Sequence, residues 1–217
     1  MEVVMSFQNR TEAARLLARR LAVYRGQNPL VLAIPRGAVP MGKTIADALG
    51  GELDVVLVRK LRAPQNPELA IGSIDDAGIV YLDPEMHDLW TEAYLEKEKQ
   101  TQLETLKQRR EMYGLLRPRS DATGRTIIVV DDGIATGSTM IAALRAARAR
   151  HPKKLIAATG VASADALFLI RDEADEVVCL ETPSVLWAVG AHYREFSQVT
   201  DEEVTAILKQ PATTAAR

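Results

Sequence analysis

The chain has 217 residues, 47% of them hydrophobic and 26% charged, which suits one substantial core, or one core carrying an insertion, and excludes a disordered chain or two equal domains. A formal net charge of −2 supplies no global field for nucleic acid or an anionic membrane, so any anion site has to be local. The first residues include Glu2, Arg10, Glu12 and Arg15 and hold no apolar signal run, and no window approaches the ~18 uncharged apolar residues of a spanning helix, so a cytoplasmic protein with no membrane partner is expected.

Asn9, with Glu12 three residues on, makes a capping-box pattern ahead of Ala14, Leu17 and Leu21 at helical spacing, and Gly26 and Pro29 end that helix. LVLAI (30–34) reads as a buried strand, PRGAVP as a turn, MGKTIADALG as a helix and ELDVVLVRK (52–60) as a second buried strand. Residues 62–120 break this rhythm. LAIGSI and IVYLD flank DDAG, a hairpin pattern, and Asp83-Pro84 opens a strongly charged helix running to about Tyr113. Its apolar positions, Leu95, Leu103, Leu106, Met112 and Tyr113, make a thin stripe, so the helix is either half-packed on the core or covers a partner. RPRSDATGR (117–125) reads as the linker back.

The rhythm then resumes with strand 126–131, helix 139–150, strand 154–161, helix 164–174 capped by Ser163, and strand 176–181. Continuous β-branched strands alternating with helices imply an α/β fold, a parallel twisted sheet with helices on both faces. We divide the chain into a core (1–61 and 121–210, with a C-terminal hood at about 183–208), an inserted hairpin-plus-helix segment (62–120) and a flexible tail (211–217). Cys179, the only cysteine, lies in EVVCLE and reads as an inert core thiol; an intrachain disulfide is excluded and a reducing compartment favoured.

Ligands of such sheets bind at the carboxyl ends of the strands. Arg36, Arg59, Lys60, Asp131 and Asp132 all fall at those ends. In TIIVVDDGIATGSTM (126–140) a glycine-rich turn leads from a buried strand into a helix, so backbone N–H groups and the helix N-terminus converge on an anion, with hydroxyls from Thr136, Ser138 and Thr139. Two adjacent aspartates would repel that anion, but they are natural acceptors for the hydroxyls of a sugar attached to it. The missing lysine of GxxxxGK[ST] argues against a nucleoside-triphosphate loop. A sugar phosphate is the implied ligand.

IIVVDDGIATGST resembles the 5-phosphoribosyl-1-pyrophosphate (PRPP) signature of the type I phosphoribosyltransferases; IPRG is similar to that family's pyrophosphate loop, and VRK to the basic end of its second core strand. The resemblance covers most of residues 7–208. It implies that Asp131 and Asp132 hold the ribose 2′ and 3′ hydroxyls. The backbone through Gly133, Ala135, Gly137 and Thr139, with the Thr136, Ser138 and Thr139 hydroxyls, would hold the 5-phosphate, and Arg36, Gly37, Arg59 and Lys60 would face the pyrophosphate. Asp131, Asp132 and Lys60 are then the candidate catalytic groups. Mg²⁺ is implied as cofactor, bound mainly through the oxygens of PRPP, with no protein metal ligand assigned. The implied reaction is transfer of 5-phosphoribosyl from PRPP to a nitrogenous base through an oxocarbenium-like transition state, in nucleotide salvage. The alternative is a PRPP-binding regulatory or protein-interaction module without turnover. Self-association is left open.

The acceptor is not named by these motifs. The hypoxanthine-guanine type carries a third aspartate where this chain has Ala135, though the adenine type also lacks it; Glu68 is a substitute acid or base, or a solvated loop carboxylate. In the hood, Trp187 either stacks on the base or, with Tyr193 and Phe196, packs the hood on the sheet. Thr200 and Glu203 form a capping box. His87, His151 and His192 share no metal-ligand spacing. Arg145, Arg148, Arg150, His151, Lys153 and Lys154 read as a solvated helix-end cluster rather than a nucleic-acid patch.

Overall fold

The computed structural model describes residues 6–113 and 120–210, without the side chains of residues 67, 68 and 84. The expected tail, the start of the expected linker at 117–119 and the Glu68 side chain lie outside the described residues. Helix α1 (Arg10–Arg20) starts at Asn9, whose side chain accepts from the Glu12 N–H; the Glu12 carboxylate reaches the Gln8 N–H rather than that of Asn9, so the capping box is offset by one residue. Strand β1 (Leu30–Ala33) leads to α2 (Val39–Leu49), which begins two residues before the expected start and ends at Gly50 in the left-handed region.

Strands β2 (Glu52–Val55), β6 (Thr126–Ile134), β7 (Lys154–Ala162) and β8 (Glu176–Glu181) join β1 in a five-stranded parallel sheet of order β2-β1-β6-β7-β8. Helices α4 (Ser138–Arg148) and α5 (Ala164–Ile170) lie on the face away from α1 and α2. Alternate strand residues serve alternate faces: Val31, Ala33, Ile128, Val130, Ile156 and Ala158 pack with α1 and α2, whereas Leu30, Leu32, Ile127, Val129, Leu155 and Ala157 pack with α4 and α5. Burial on both faces is why these strands read as unbroken apolar runs. Helix α5 stops at Ile170, four residues short of expectation, although Ser163 caps it as expected.

The stretch ELDVVLVRK is not one strand. The Val56 N–H still donates to Ala33 O in the parallel sheet, but Leu57 O accepts from Asp76, and β3 (Val58–Ala63) pairs antiparallel with β4 (Asn66–Asp75), which pairs antiparallel with β5 (Val80–Leu82). Leu61 and Ala63 are buried while Lys60 and Arg62 are exposed, the alternation of a sheet with one wet face. Arg59 and Lys60 therefore belong to this second sheet and not to the end of the second core strand.

The charged segment is also divided. Asp83 caps a 3-10 turn at Pro84–Leu89, the chain extends at Trp90, and Thr91 caps α3 (Glu92–Met112). Leu95, Leu106 and Tyr113 are buried in the same cluster as Leu61, Ile71 and Ile74, so the stripe is packed on the second sheet; Met112, expected in the stripe, is exposed. No described helix is long and apolar enough to cross a membrane.

The hood holds a 3-10 turn at Val189–His192 and α6 (Asp201–Leu208), opened by the expected Thr200–Glu203 capping box. It is seated on the sheet through glycines. A Cβ on Gly160 would lie 2.3 Å from the Tyr193 hydroxyl oxygen, and one on Gly133 would lie 2.2 Å from a Val189 methyl. Gly160→Ala is expected to destabilise the protein by about 1–3 kcal/mol, the usual cost of overpacking, read as a lower urea midpoint at unchanged slope. An unchanged midpoint would mean that Tyr193 does not rest on β7.

Candidate active site

β6 runs three residues further than expected, and Asp131 pairs in register with Thr159 and Gly133 with Val161, so ladder bonds hold the acidic pair. Asp131 accepts from the Asp132 N–H at 2.9 Å. Although part of the residue reaches solvent, its carboxyl is enclosed; burial first, and then the Asp132 charge, push it well above the usual carboxylate range.

The turn after β6 needs Gly137, at φ +84°, to enter α4. The Ser163 hydroxyl donates to Ala135 O at 2.7 Å, and the Thr136 and Ser138 hydroxyls lie 3.2 Å apart. Ile141 makes the first bond back to Gly137, which leaves the N–H groups of the first turn, around Ser138 and Thr139, free of intrahelical partners. The result is an anion cradle at the same strand end as the two carboxylates.

Asp132 faces the other way. Its carboxylate accepts from Arg10 Nε at 2.8 Å, and the two side chains are 12% and 15% exposed. A Cβ on Gly37 would stand 2.1 Å from Asp132 Oδ2, so only glycine fits the turn after β1 at this point. Arg10 Nη1 donates to Ser197 O, its guanidinium lies 3.8 Å from the centre of the Phe196 ring, and the Tyr193 hydroxyl donates to Asp132 O at 2.6 Å. Burial and the neighbouring Asp132 push the Tyr193 phenol up, which keeps it a donor.

These groups border a cleft of about 680 Å³ lined by Arg10, Arg36, Gly37, Arg109, Asp132 and the hood residues Val189, Phe196, Gln198 and Val199. That size suits a small-molecule ligand. Arg36 Nη1 donates to Asp201 at 3.3 Å, and the same carboxylate accepts from the Tyr113 hydroxyl at 3.0 Å. Burial and that contact raise the Tyr113 pKa to about 12. The end of α3, the turn after β1 and the start of α6 thus meet at one carboxylate.

The remaining expected residues do not line this cleft. Lys60 lines a smaller cleft with Ser73, Tyr81, Ser138 and Arg145, against the outer side of α4. Arg59 donates to Gln102; burial and the nearby Arg109 and Arg62 cations lower its pKa. Trp187 is 79% exposed, so it is not a core aromatic, whereas Tyr193 is buried and Phe196 packs on the core. In the basic cluster, Arg145 pairs with Glu173 and stacks on Tyr81, Arg148 pairs with Asp175, and Lys154 pairs with Glu176. Cys179 is only partly buried, and that burial raises its thiol pKa. Among the described residues no three His, Cys, Asp or Glu side chains converge as a metal-ligand group. What the site offers a hard cation is the acidic pair, a donor set that fits Mg²⁺ only as an ion carried mostly by substrate oxygens and water.

Arg10, Arg109, Tyr113, Tyr193 and Asp201 were not legible as site residues. Arg10 shares α1 with Arg15, Arg19 and Arg20, and only its position directly after the cap distinguishes it.

The model of the phosphoribosyl transferase domain matches residues 7–195. Two proteins of Mycobacterium tuberculosis, from strains CDC 1551 and H37Rv and each named "Putative phosphoribosyl transferase", are 41% identical over 204 residues, 93% of this chain and 46% of theirs. The chain therefore spans about half the length of these curated relatives. The crystal structure of TT1426 from Thermus thermophilus is 44% identical and superposes with a TM-score of 0.87, covering 94% of this chain and 98% of that one.

The state of Asp131 gives a test by pH. A carboxyl raised in the folded protein takes up a proton on folding, so its contribution to stability is complete below the ordinary carboxylate range and is lost as pH rises through the folded value. Asp131→Asn removes that loss. The variant is expected to have the higher denaturant midpoint at neutral pH, the gap closing below the ordinary carboxylate range; a wild type at least as stable at neutral pH would contradict the burial cost.

Proposed function

This chain belongs to the phosphoribosyl transferase family, and from that membership and the cleft we propose that it transfers the 5-phosphoribosyl group of PRPP to a ring nitrogen of a nitrogenous base. The observation that carries this reading is the junction at the end of β6, where an anion cradle, two carboxylates and the tight Gly37 turn meet within one strand-end. In the reaction the bond from the anomeric carbon to the pyrophosphate oxygen breaks, a bond to the base nitrogen forms, and any proton on that nitrogen is released. No protein nucleophile takes part.

Each group in the chain has a task in that step. The turn at Ala135–Gly137 and the first turn of α4 hold the 5-phosphate, with the Thr136, Ser138 and Thr139 hydroxyls as donors. Asp131 and Asp132 take the ribose hydroxyls and stabilise a ring that gains positive charge. Arg36 and the Gly37 turn take the pyrophosphate, with Lys60, which shares a cleft with Ser138, and Arg59, which lies near Arg109, as further cations. Mg²⁺, when bound with PRPP, neutralises charge on the departing pyrophosphate. Salvage chemistry in the cytoplasm fits this activity.

A second reading, PRPP binding without turnover, draws on the Arg10–Asp132 pair, which competes with the ribose for one of the two carboxylates. Calorimetric titration with Mg-PRPP separates these readings together with a pyrophosphate-release assay over a panel of bases. The wild type is expected to bind, and the Asp131→Asn/Asp132→Asn double variant to bind about 100-fold or more weakly, as loss of hydrogen bonds to charged groups implies. Equal binding by both proteins would remove the acidic pair from the site; binding with no pyrophosphate from any base would favour the second reading.

A further inference from the structure

A departing pyrophosphate needs counter-charge, and two of the three guanidiniums that line the cleft are already committed. Arg10 is paired with Asp132, and Arg36 with Asp201. Arg109 is the third, and among the described residues no carboxylate pairs with it. It stands exposed in the last turn of α3. One turn on, the Tyr113 N–H donates to Arg109 O at 3.1 Å, and the Tyr113 hydroxyl reaches the same Asp201 carboxylate that accepts from Arg36. Those contacts tie the end of α3 to the turn after β1. Burial raises the Tyr113 pKa, and the charges of Arg109 and Arg36 both lie close enough to work against that rise.

A second guanidinium lies near Arg109. Arg59 Nε donates to Gln102 Oε1 at 2.9 Å, and Gln102 is itself buried, its amide donating to Glu98 at 3.0 Å. Gln102 and Arg109 are seven residues apart, about two turns of α3, so the side chain that fixes Arg59 projects from the same helix face as Arg109. The terminal nitrogens of Arg59 have no acceptor among the described residues, which leaves four of its five N–H groups for a ligand. Burial first, and then the Arg109 and Arg62 charges, lower the Arg59 pKa. A part-buried cation beside a second one is a cost in the ligand-free protein, and an anion shared by both removes it. The C-terminal end of a helix is by itself a reason for a cation, and Arg110 meets it with Asp76 as partner. That reason does not reach Arg59, which comes from β3.

Resting on the transferase reading, we propose that Arg109, with Arg59 near it, is the ligand of the outer phosphoryl group of PRPP, the one farther from the sugar. As the bond from the anomeric carbon to the pyrophosphate oxygen breaks, its electron pair leaves with the pyrophosphate. The two guanidiniums hold that added charge through hydrogen bonds and give up no proton. Arg36 and the Gly37 turn are left with the inner phosphoryl group. Helix α3 is thereby a working part of the donor site, and it recognises the diphosphate rather than the sugar.

The test titrates three probes calorimetrically into the full chain: Mg-pyrophosphate, Mg-PRPP, and ribose 5-phosphate, which lacks the diphosphate. Arg109→Gln is expected to weaken Mg-pyrophosphate and Mg-PRPP about tenfold or more, the size of a charge-assisted hydrogen bond, and to leave ribose 5-phosphate bound as in the wild type. Arg59→Gln is expected to act in the same selective way. Arg109→Lys, which keeps the charge without the fork, is expected to fall between and serves if Arg109→Gln does not fold. Lys107→Gln removes the same charge from an exposed position on the other side of α3 and is expected to change none of the three affinities. A wild type that binds no Mg-pyrophosphate, unchanged Mg-pyrophosphate affinity in the Arg109 variants, an equal loss for ribose 5-phosphate, or an equal loss from Lys107→Gln would each overturn the proposal. Failure of the transferase reading is distinct: Mg-PRPP then binds through Arg109 but no base in the panel yields pyrophosphate.

Discussion

The ion pair between Arg10 and Asp132 is the contact on which the architecture of the cleft depends. It joins the first turn of α1 to the end of β6, and through Ser197 O and Phe196 it joins both to the hood. Breaking one side of a part-buried pair leaves a charge without its partner, a cost of about 3–5 kcal/mol when burial is complete. The pair can form only because backbone comes unusually close: Gly37 touches the Asp132 carboxylate, Gly133 accepts Val189, and Gly160 accepts Tyr193. Side chains at any of these positions would push the hood or the turn after β1 away from the acids.

Placing the acids inside a strand has an electrostatic counterpart. Asp131 sits where burial and a like charge both oppose its ionisation, while Asp132 has a guanidinium at 2.8 Å. Adjacent residues with the same chemistry thus meet opposite surroundings. A pair so divided suits a ligand that brings hydroxyl donors to one carboxylate and develops positive charge near both.

The core strands were legible because their burial on both faces leaves a mark in sequence, an unbroken apolar run. The same mark hid the boundary inside ELDVVLVRK, where one apolar run serves two sheets and the change of partner falls at Val56 and Leu57. The alternation in VRKLRA was the available signal of a one-faced strand, and reading it would have placed Arg59 and Lys60 on a second sheet. The turn after β6 was legible because strand, acids, glycines and hydroxyls are contiguous. Arg10, Arg109 and Asp201 reach the cleft only by tertiary packing, from segments 10, 109 and 201 residues along the chain, and no local pattern records that. Trp187 shows the reverse: an aromatic that reads equally well as a core residue is exposed.

The shared carboxylate of Asp201 has a consequence for how the end of α3 can be changed. Tyr113 brings the end of α3 to it from one side and Arg36 the turn after β1 from the other, so α3, α6 and that turn are tied through one side chain. A helix tied in this way is not an interchangeable appendage attached at two surface junctions. Grafting it into a relative would carry along an obligation at positions 36 and 201, and lineages that change the residue at 113 would be expected to change its two correspondents with it.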